Sequence, residues 1–62
     1  MRARDAANLH NGDEVIIKKG NLPAKVLSTN VIHEGNHGKV WVELEVVLDG
    51  GAYRTVYHDE VK

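Results

Sequence analysis

The sequence predicts an all-β protein: a small five-stranded barrel that follows a short irregular or weakly helical lead-in. The main observation is residues 39–48, in which apolar side chains occupy alternate positions, namely Val40, Val42, Leu44, Val46 and Leu48. Alternation over this length is typical of a half-buried strand, because successive side chains of a strand point to opposite faces. This run leads through Asp49-Gly50-Gly51 into a second β-rich run, residues 52–57. The two runs predict a β-hairpin with a glycine-containing turn.

The N-terminal part of the chain predicts a lead-in followed by a first strand. Residues 1–10 hold several alanines, but a helix this short is marginal on its own, so we expect Leu9 to anchor a lead-in on the domain. Asn11-Gly12-Asp13 is a turn signal. Residues 14–18 then predict the first strand, with its two inward positions apolar.

The middle of the chain predicts a second strand over residues 24–29 that extends to position 32. Its side chains expected on the core face are Ala24, Val26 and Val31. A polar connection with several glycines, residues 33–38, then leads into the long alternating strand.

The C-terminal part predicts the closure of the barrel. Residues 58–60 predict one 3₁₀ turn that delivers Val61 to a short fifth strand. The barrel thus covers residues 11–62, and closure would remove the exposed sheet edges that a small sheet tolerates poorly. The predicted shared core consists of Val15, Ile17, Val26, Val42, Leu44 and Val46.

The pairing of the last two long strands follows from the turn between them. If Asp49-Gly50 is a two-residue loop, Glu45 lies opposite Arg54, which is a favourable opposite-charge pair. A shift by one residue would place Arg54 against Val46 on the core face, and burial of an unpaired guanidinium is costly. We therefore expect the two-residue loop.

This pairing places an apolar spot on the outer face of the hairpin. Trp41 and Val56 become diagonal neighbours there, beside Arg54 and His58, and these four residues are the predicted partner-binding site. Three alternatives remain for the spot: the lead-in covers it, a partner or a second copy binds it, or it forms a ligand pocket.

Composition narrows the function classes. The chain has 62 residues, eight lysines and arginines against nine acidic residues, and no cysteine. A near-zero net charge lowers the expectation of nucleic-acid binding, and the lack of cysteine excludes disulfides and thiolate metal sites. No signal-peptide pattern and no membrane-spanning stretch occur in the sequence, so we expect a cytoplasmic protein without membrane contact.

The four histidines suggest two kinds of chemistry that we do not expect to operate. His33, Glu34 and His37 could meet at a metal, but they lie in a glycine-flanked segment rather than on a helix. His58 is next to Asp59, yet no serine or cysteine lies in a nucleophile motif. We therefore expect no enzyme activity, no metal, no cofactor and no small-molecule substrate.

Four lysines provide the alternative function. Lys18, Lys19, Lys25 and Lys39 are expected either to guard strand edges or to form a basic edge that contacts nucleic acid. Trp41 or a tyrosine would then supply a stacking platform for a base.

Several short segments resemble SH3-like barrels. Residues 9–17, with a leucine followed by Gly12-Asp13 and a strand, look like the entry to such barrels; residues 23–27 and 57–61 resemble their second strand and their closing 3₁₀ segment. The resemblance covers residues 9–62 and extends to Tudor and KOW modules, to electron-transport accessory subunits of this fold and to small phage or plasmid proteins. It implies an SH3-like barrel, with nucleic-acid binding as the Tudor- or KOW-like alternative.

Together these observations predict a non-enzymatic interaction module of bacterial or phage type. A protein partner or a second copy of the chain is the expected ligand, and nucleic acid is the alternative. A metal site or small enzyme around the histidines is the weakest hypothesis.

Overall fold

The fold is an antiparallel meander with a short N-terminal helix, described for residues 1–34 and 38–62 in a computed structural model. Its elements in chain order are α1 (Ala3–Ala7), β1 (Glu14–Ile17), β2 (Leu22–Glu34), β3 (Lys39–Leu48), β4 (Tyr53–Tyr57) and a 3₁₀ helix (His58–Glu60). The four strands form one sheet in the order β1-β2-β3-β4. The all-β prediction is confirmed. The prediction of five strands in a closed barrel is wrong for the part of the chain that the structure describes, where four strands form an open sheet.

The predicted fifth strand is reduced to one bridge. Val61 pairs with Ile17, and two backbone hydrogen bonds of 2.9 Å flank the bridge, from Lys18 N–H to the Glu60 carbonyl and from Lys62 N–H to the Ile16 carbonyl. The 3₁₀ helix turns the chain so that a single residue meets β1. A continuous ladder, which a closed barrel requires, does not form there.

The core lies on one face of the sheet, called here the inner face. All six predicted core residues are buried, and Ala6, Ala24, Val56 and Val61 join them. Leu44 is the largest of the side chains that are fully buried. Val31 was predicted on the core face, but its side chain is 41% exposed because β2 continues beyond the core at that point.

The N-terminal lead-in forms α1 and packs on the inner face. Ala6 is fully buried among the core residues, and Leu9 packs against the same cluster, as predicted. The Met1 ammonium donates a 2.7 Å hydrogen bond to the Val61 carbonyl. The lead-in therefore covers the core, whereas Trp41 lies on the opposite, outer face of β3.

The pairing of β3 with β4 differs from the prediction by one residue. Leu44 lies opposite Val56 and Val46 opposite Arg54. The loop has three residues, because the Leu48 N–H donates to the Ala52 carbonyl at 2.8 Å, and Gly51 adopts a φ of 88°. A three-residue loop that ends in a left-handed glycine is a common hairpin connection. The predicted two-residue loop is therefore wrong.

The shift exchanges the two faces of β4. Val56 turns inward and is buried, while Tyr53 and Tyr57 turn outward. Arg54 shares a face with Val56 but remains exposed. The expected penalty for burying its guanidinium does not arise, because a long arginine side chain can reach water from such a position.

The ends of β2 and β3 farthest from β1 project from the sheet. β1 pairs with β2 up to Lys25, and β4 pairs with β3 only from Glu43 onward, whereas the β2–β3 ladder continues to Glu34 and Lys39. We call the projecting residues 28–34 and 39–42 the arm. A bulge between Val26 and Ser28 separates the arm from the core part of β2. None of the helices described in residues 1–34 and 38–62 has the length and apolar character needed to cross a membrane.

Candidate partner-binding groove

An aromatic and acidic groove lies where the outer face of the arm meets the 3₁₀ helix. It has a volume of about 610 Å³ and is lined by Ile32, Trp41, Tyr57, Asp59 and Glu60. We call these five residues the groove. Ile32 and Trp41 are direct partners across β2 and β3, and β4 ends with Tyr57 just before the helix that carries the two carboxylates.

The indole of Trp41 is held by two other rings. Its centroid lies 6.2 Å from that of Tyr57 in an edge-to-face arrangement, with 68° between the ring planes. The His58 ring lies 5.3 Å away, tilted by 39°. Edge-to-face packing is a favourable geometry for aromatic pairs. Trp41 is half-buried, so part of the indole is fixed and part remains open to the groove.

The His58 side chain replaces a strand residue in the ladder. The β3–β4 pairing ends at Glu43 and Tyr57, and the next N–H of β3 that points toward β4 belongs to Val42. That N–H donates a 3.1 Å hydrogen bond to Nδ1 of His58. The bond fixes the imidazole plane beside Trp41 and uses the nitrogen that a catalytic dyad with Asp59 would need.

The carboxylates give the groove a negative rim. Oε2 of Glu60 accepts a 2.6 Å hydrogen bond from the Tyr57 N–H, which fixes this carboxylate beside the Tyr57 backbone. Asp59 is exposed. Among the described residues, the close contact between a basic and an acidic side chain joins His10 to Asp13 at 3.9 Å, so no cation of that part of the chain pairs with either groove carboxylate.

The structure brings together two of the four residues predicted to bind a partner. Trp41 and His58 are in contact, but Val56 is 4% exposed and belongs to the core. Arg54 lines a separate depression of about 350 Å³ near Leu27 and Tyr53. The reason is the shifted register, which moves Val56 to the inner face.

Sequence reasoning did not assign Ile32, Tyr57, Asp59 and Glu60 to the site. The three-residue turn would have placed Tyr57 on the outer face, because Tyr57 then faces Glu43 rather than Val42. The pairing of Ile32 with Trp41 was not predictable, since it depends on the bulge after Val26.

The four predicted lysines lie at both ends of the sheet. Lys18 and Lys19 follow β1, next to the end where Ala24 pairs with Leu48. Lys39 begins β3 at the opposite end, about 30 Å away at the usual rise per strand residue. Lys25 lies opposite Glu14 on β1. A single basic edge that contains all four is therefore absent from the described sheet.

The histidine cluster is described in part. His33 lies in the arm and is exposed, whereas His37 is outside the described residues. Within residues 1–34 and 38–62, no three histidine, aspartate or glutamate side chains are grouped closely enough to hold a metal ion.

Comparison of this chain with known protein families, with curated proteins and with solved structures finds no match. The groove is accordingly interpreted from the contacts of its own residues.

Proposed function

We propose that this protein is a non-enzymatic interaction module that binds a cationic side chain of a protein partner in the groove. The observation that carries the proposal is the fixed indole of Trp41 beside two carboxylates without a cationic partner in the described chain. Arginine and lysine side chains combine a positive head, which suits Asp59 and Glu60, with attraction to an aromatic face. An arginine is the best fit, because its planar guanidinium can stack on an indole and bond to a carboxylate together.

The interaction energies expected for one cationic side chain in the groove indicate a weak and reversible contact. A cation over an aromatic face contributes about 0.5–1 kcal/mol at an exposed site and about 2 kcal/mol when desolvated. An exposed ion pair adds at most about 1 kcal/mol. One side chain in the groove thus contributes about 3 kcal/mol at most, which corresponds to a dissociation constant of several millimolar or weaker. A partner would gain further affinity from contacts along the outer face of the arm.

The test uses the single tryptophan of the chain as its reporter. A short acetylated, amidated Gly-Ser peptide with one central arginine is titrated while the Trp41 indole resonance and fluorescence are followed. The same peptide with citrulline removes the charge but keeps the shape. We expect the arginine peptide to shift the indole signal with saturation and the citrulline peptide to do so at least about tenfold more weakly.

Matched variants identify the groove as the binding site. Glu60→Gln keeps an oxygen that can accept the Tyr57 N–H but removes the charge, and we expect it to weaken binding. Glu45→Gln makes the same change of net charge on β3, outside the groove, and should bind like the original protein. Equal binding of the arginine and citrulline peptides, or no saturable shift with either, would overturn the proposal.

We also propose that the open sheet is related to SH3-like barrels. The 3₁₀ helix after β4 and the bridge of Val61 to Ile17 support this, since these are the elements that the resemblance led us to expect. The proposals of a bacterial or phage origin and of a cytoplasmic location rest on sequence alone.

Nucleic-acid binding has less support as a second function. The acidic rim of the groove would repel phosphate from the aromatic residues that a base would need for stacking. Away from the groove, Tyr53 and Lys25 lie on either side of Val47 on the outer face, because Val47 pairs with both.

A further inference from the structure

The arm leaves one edge of β2 open. β1 covers β2 from Leu22 to Lys25. The segment before β1 continues this cover. The Gly12 N–H donates to the Val26 carbonyl and the Val26 N–H donates to the Asp13 carbonyl, each at 2.8 Å. The Asn11 side-chain amide donates to the Leu27 carbonyl at 3.0 Å. From Ser28 onward, no described strand lies on that side of β2.

The direction of the backbone groups along this edge follows from the ladder. The Leu48 N–H bonds to Ala52, the residue just before β4. Even-numbered residues of β3 therefore direct their backbone groups toward β4 and odd-numbered ones toward β2. Asn30 and Ile32, which lie opposite Glu43 and Trp41, therefore bond to β3. The residues that alternate with them, Thr29, Val31 and His33, point the other way. The open edge therefore presents the backbone N–H and C=O groups of these three residues.

The side chains at this edge favour pairing with another strand. Strand edges are usually guarded by lysines, prolines or bulges, whereas residues 28–33 contain no lysine, no proline and no acidic residue. Val31 is 41% exposed and Val40 37% exposed. The two valines lie on the inner face of the arm as diagonal neighbours, because Val31 pairs with Val42 and His33 with Val40.

We infer that a second copy of this chain pairs with the open edge, antiparallel and centred on Val31. In an antiparallel pair, residues directly opposite each other lie on the same face of the sheet, and those that exchange hydrogen bonds must both point toward the partner. Centring on Val31 satisfies both conditions. Val31 then faces Val31 of the second copy, and Thr29 faces His33, so the open backbone groups of both copies bond to each other.

Self-pairing also matches the side chains. The exposed Val31 side chains of the two copies meet on the inner face, each beside Val40 of its own copy, and form one apolar contact. On the outer face Asn30 faces Ile32, so no like charges lie opposite each other between residues 28 and 33. This self-complementarity is the reason to propose a second copy rather than an unrelated strand. The two sheets would join into one continuous sheet.

The first test is disulfide formation at the proposed axis. The chain has no cysteine, so each variant carries a single thiol. In the proposed pair the Val31 Cα atoms are about 5.5 Å apart, within the range of a disulfide. We expect Val31→Cys to form a covalent dimer rapidly under mild oxidation. Asn30→Cys should crosslink much more slowly, because its two thiols would be offset by two residues. Tyr53→Cys, at the far end of β4, should also crosslink more slowly.

The second test is sedimentation of the unmodified protein and of two lysine variants, with circular dichroism as the check on folding. Val31→Lys places like charges opposite each other at the axis and should raise the dimer dissociation constant at least about tenfold. Tyr53→Lys adds the same charge at a residue outside the pairing and should leave the constant unchanged.

Two results would overturn the inference: an unmodified protein that stays monomeric up to about 1 mM, or a Val31→Cys protein that crosslinks no faster than Asn30→Cys. The crosslinking comparison decides the question even if the lysine variant fails to fold. The outcome can be told apart from that of the peptide titration, because crosslinking reports on Val31 on the inner face, whereas the titration reports on Trp41 on the outer face.

Discussion

His58 stabilises the fold and shapes the groove through one side chain. Its Nδ1 accepts the Val42 N–H where the β3–β4 ladder ends, and its ring packs against Trp41. A partly buried N–H without an acceptor is unfavourable. This imidazole therefore has two roles: it accepts the Val42 hydrogen bond and it packs against the Trp41 indole. The sequence position of His58 beside Asp59 suggested acid–base chemistry, whereas its contacts are those of a residue that ends a strand.

Substitution of His58 separates these two contributions. Asparagine carries an oxygen near the position of Nδ1, so His58→Asn retains an acceptor for the Val42 N–H but loses the ring. We expect His58→Ala to lower the free energy of unfolding by about 1–2 kcal/mol and His58→Asn to lower it clearly less, as measured by urea unfolding followed by Trp41 fluorescence. Equal losses in the two variants would show that only the ring packing matters.

At the scale of elements, the loop between β3 and β4 decides which face of β4 is buried. The sequence Asp49-Gly50-Gly51 allows both a two-residue and a three-residue loop, because each uses a glycine in a left-handed conformation. The structure uses Gly51, at a φ of 88°, for that role. With this choice Val56, rather than Thr55, lies opposite Leu44 and packs in the core.

The two glycines of this loop provide a matched test. Gly51→Ala forces a side chain into the left-handed region and should destabilise the protein by about 1–2 kcal/mol. An alanine at either position meets no neighbouring atom within 4 Å, and Gly50 has no positive φ. We therefore expect Gly50→Ala to change the melting temperature little. A larger loss for Gly50→Ala than for Gly51→Ala would contradict the three-residue loop.

Elements with a strong alternation of apolar and polar residues were the ones whose bounds could be predicted. The bounds of β3, residues 39–48, agree with the prediction because inward and outward positions alternate without interruption. The full length of β2 was not apparent, since the bulge after Val26 interrupts the alternation there. The burial of Ala6 was also not predictable, because an alanine has no pattern of its own and depends on the surface against which the helix packs.

The site was predictable to a smaller extent than the core. Trp41 lies on the outer face in either register, since its place depends on β3 alone. Its neighbours depend on β2 and β4, whose positions relative to β3 are set by a bulge and by a turn. The sequence pattern therefore placed Trp41 correctly, but its neighbours in the groove could be identified only from the pairing of β2, β3 and β4.

At the scale of the whole molecule, the distribution of charge limits contact with nucleic acid. Lys18 and Lys19 lie at one end of the sheet, together with Lys25, which pairs with Val47 near the end of β3, and Lys39 lies at the other end. Binding to a short single-stranded oligonucleotide would therefore involve about three phosphates, with a log–log salt slope no steeper than about −2.

Lysine variants test this limit by fluorescence anisotropy at low and moderate salt. We expect Lys39→Gln to leave any oligonucleotide binding unchanged and Lys18→Gln to weaken it. A slope near −3 together with an effect of Lys39→Gln would contradict the separation of the lysines. Absence of binding at low salt, where counterion release contributes most, would exclude the nucleic-acid alternative.

The meander has a kinetic consequence that starts from the bridge between Ile17 and Val61. Each strand pair of the sheet joins neighbours in sequence, so the ladders can form by local hairpin closure, which is fast. The bridge joins distant parts of the chain and is held by few hydrogen bonds. It should therefore form last during folding, in the step that completes the burial of Val61 against Ile17. Asp59 and Glu60 precede Val61 directly, so the acidic side of the groove reaches its final position only in this last step, after the strands have paired.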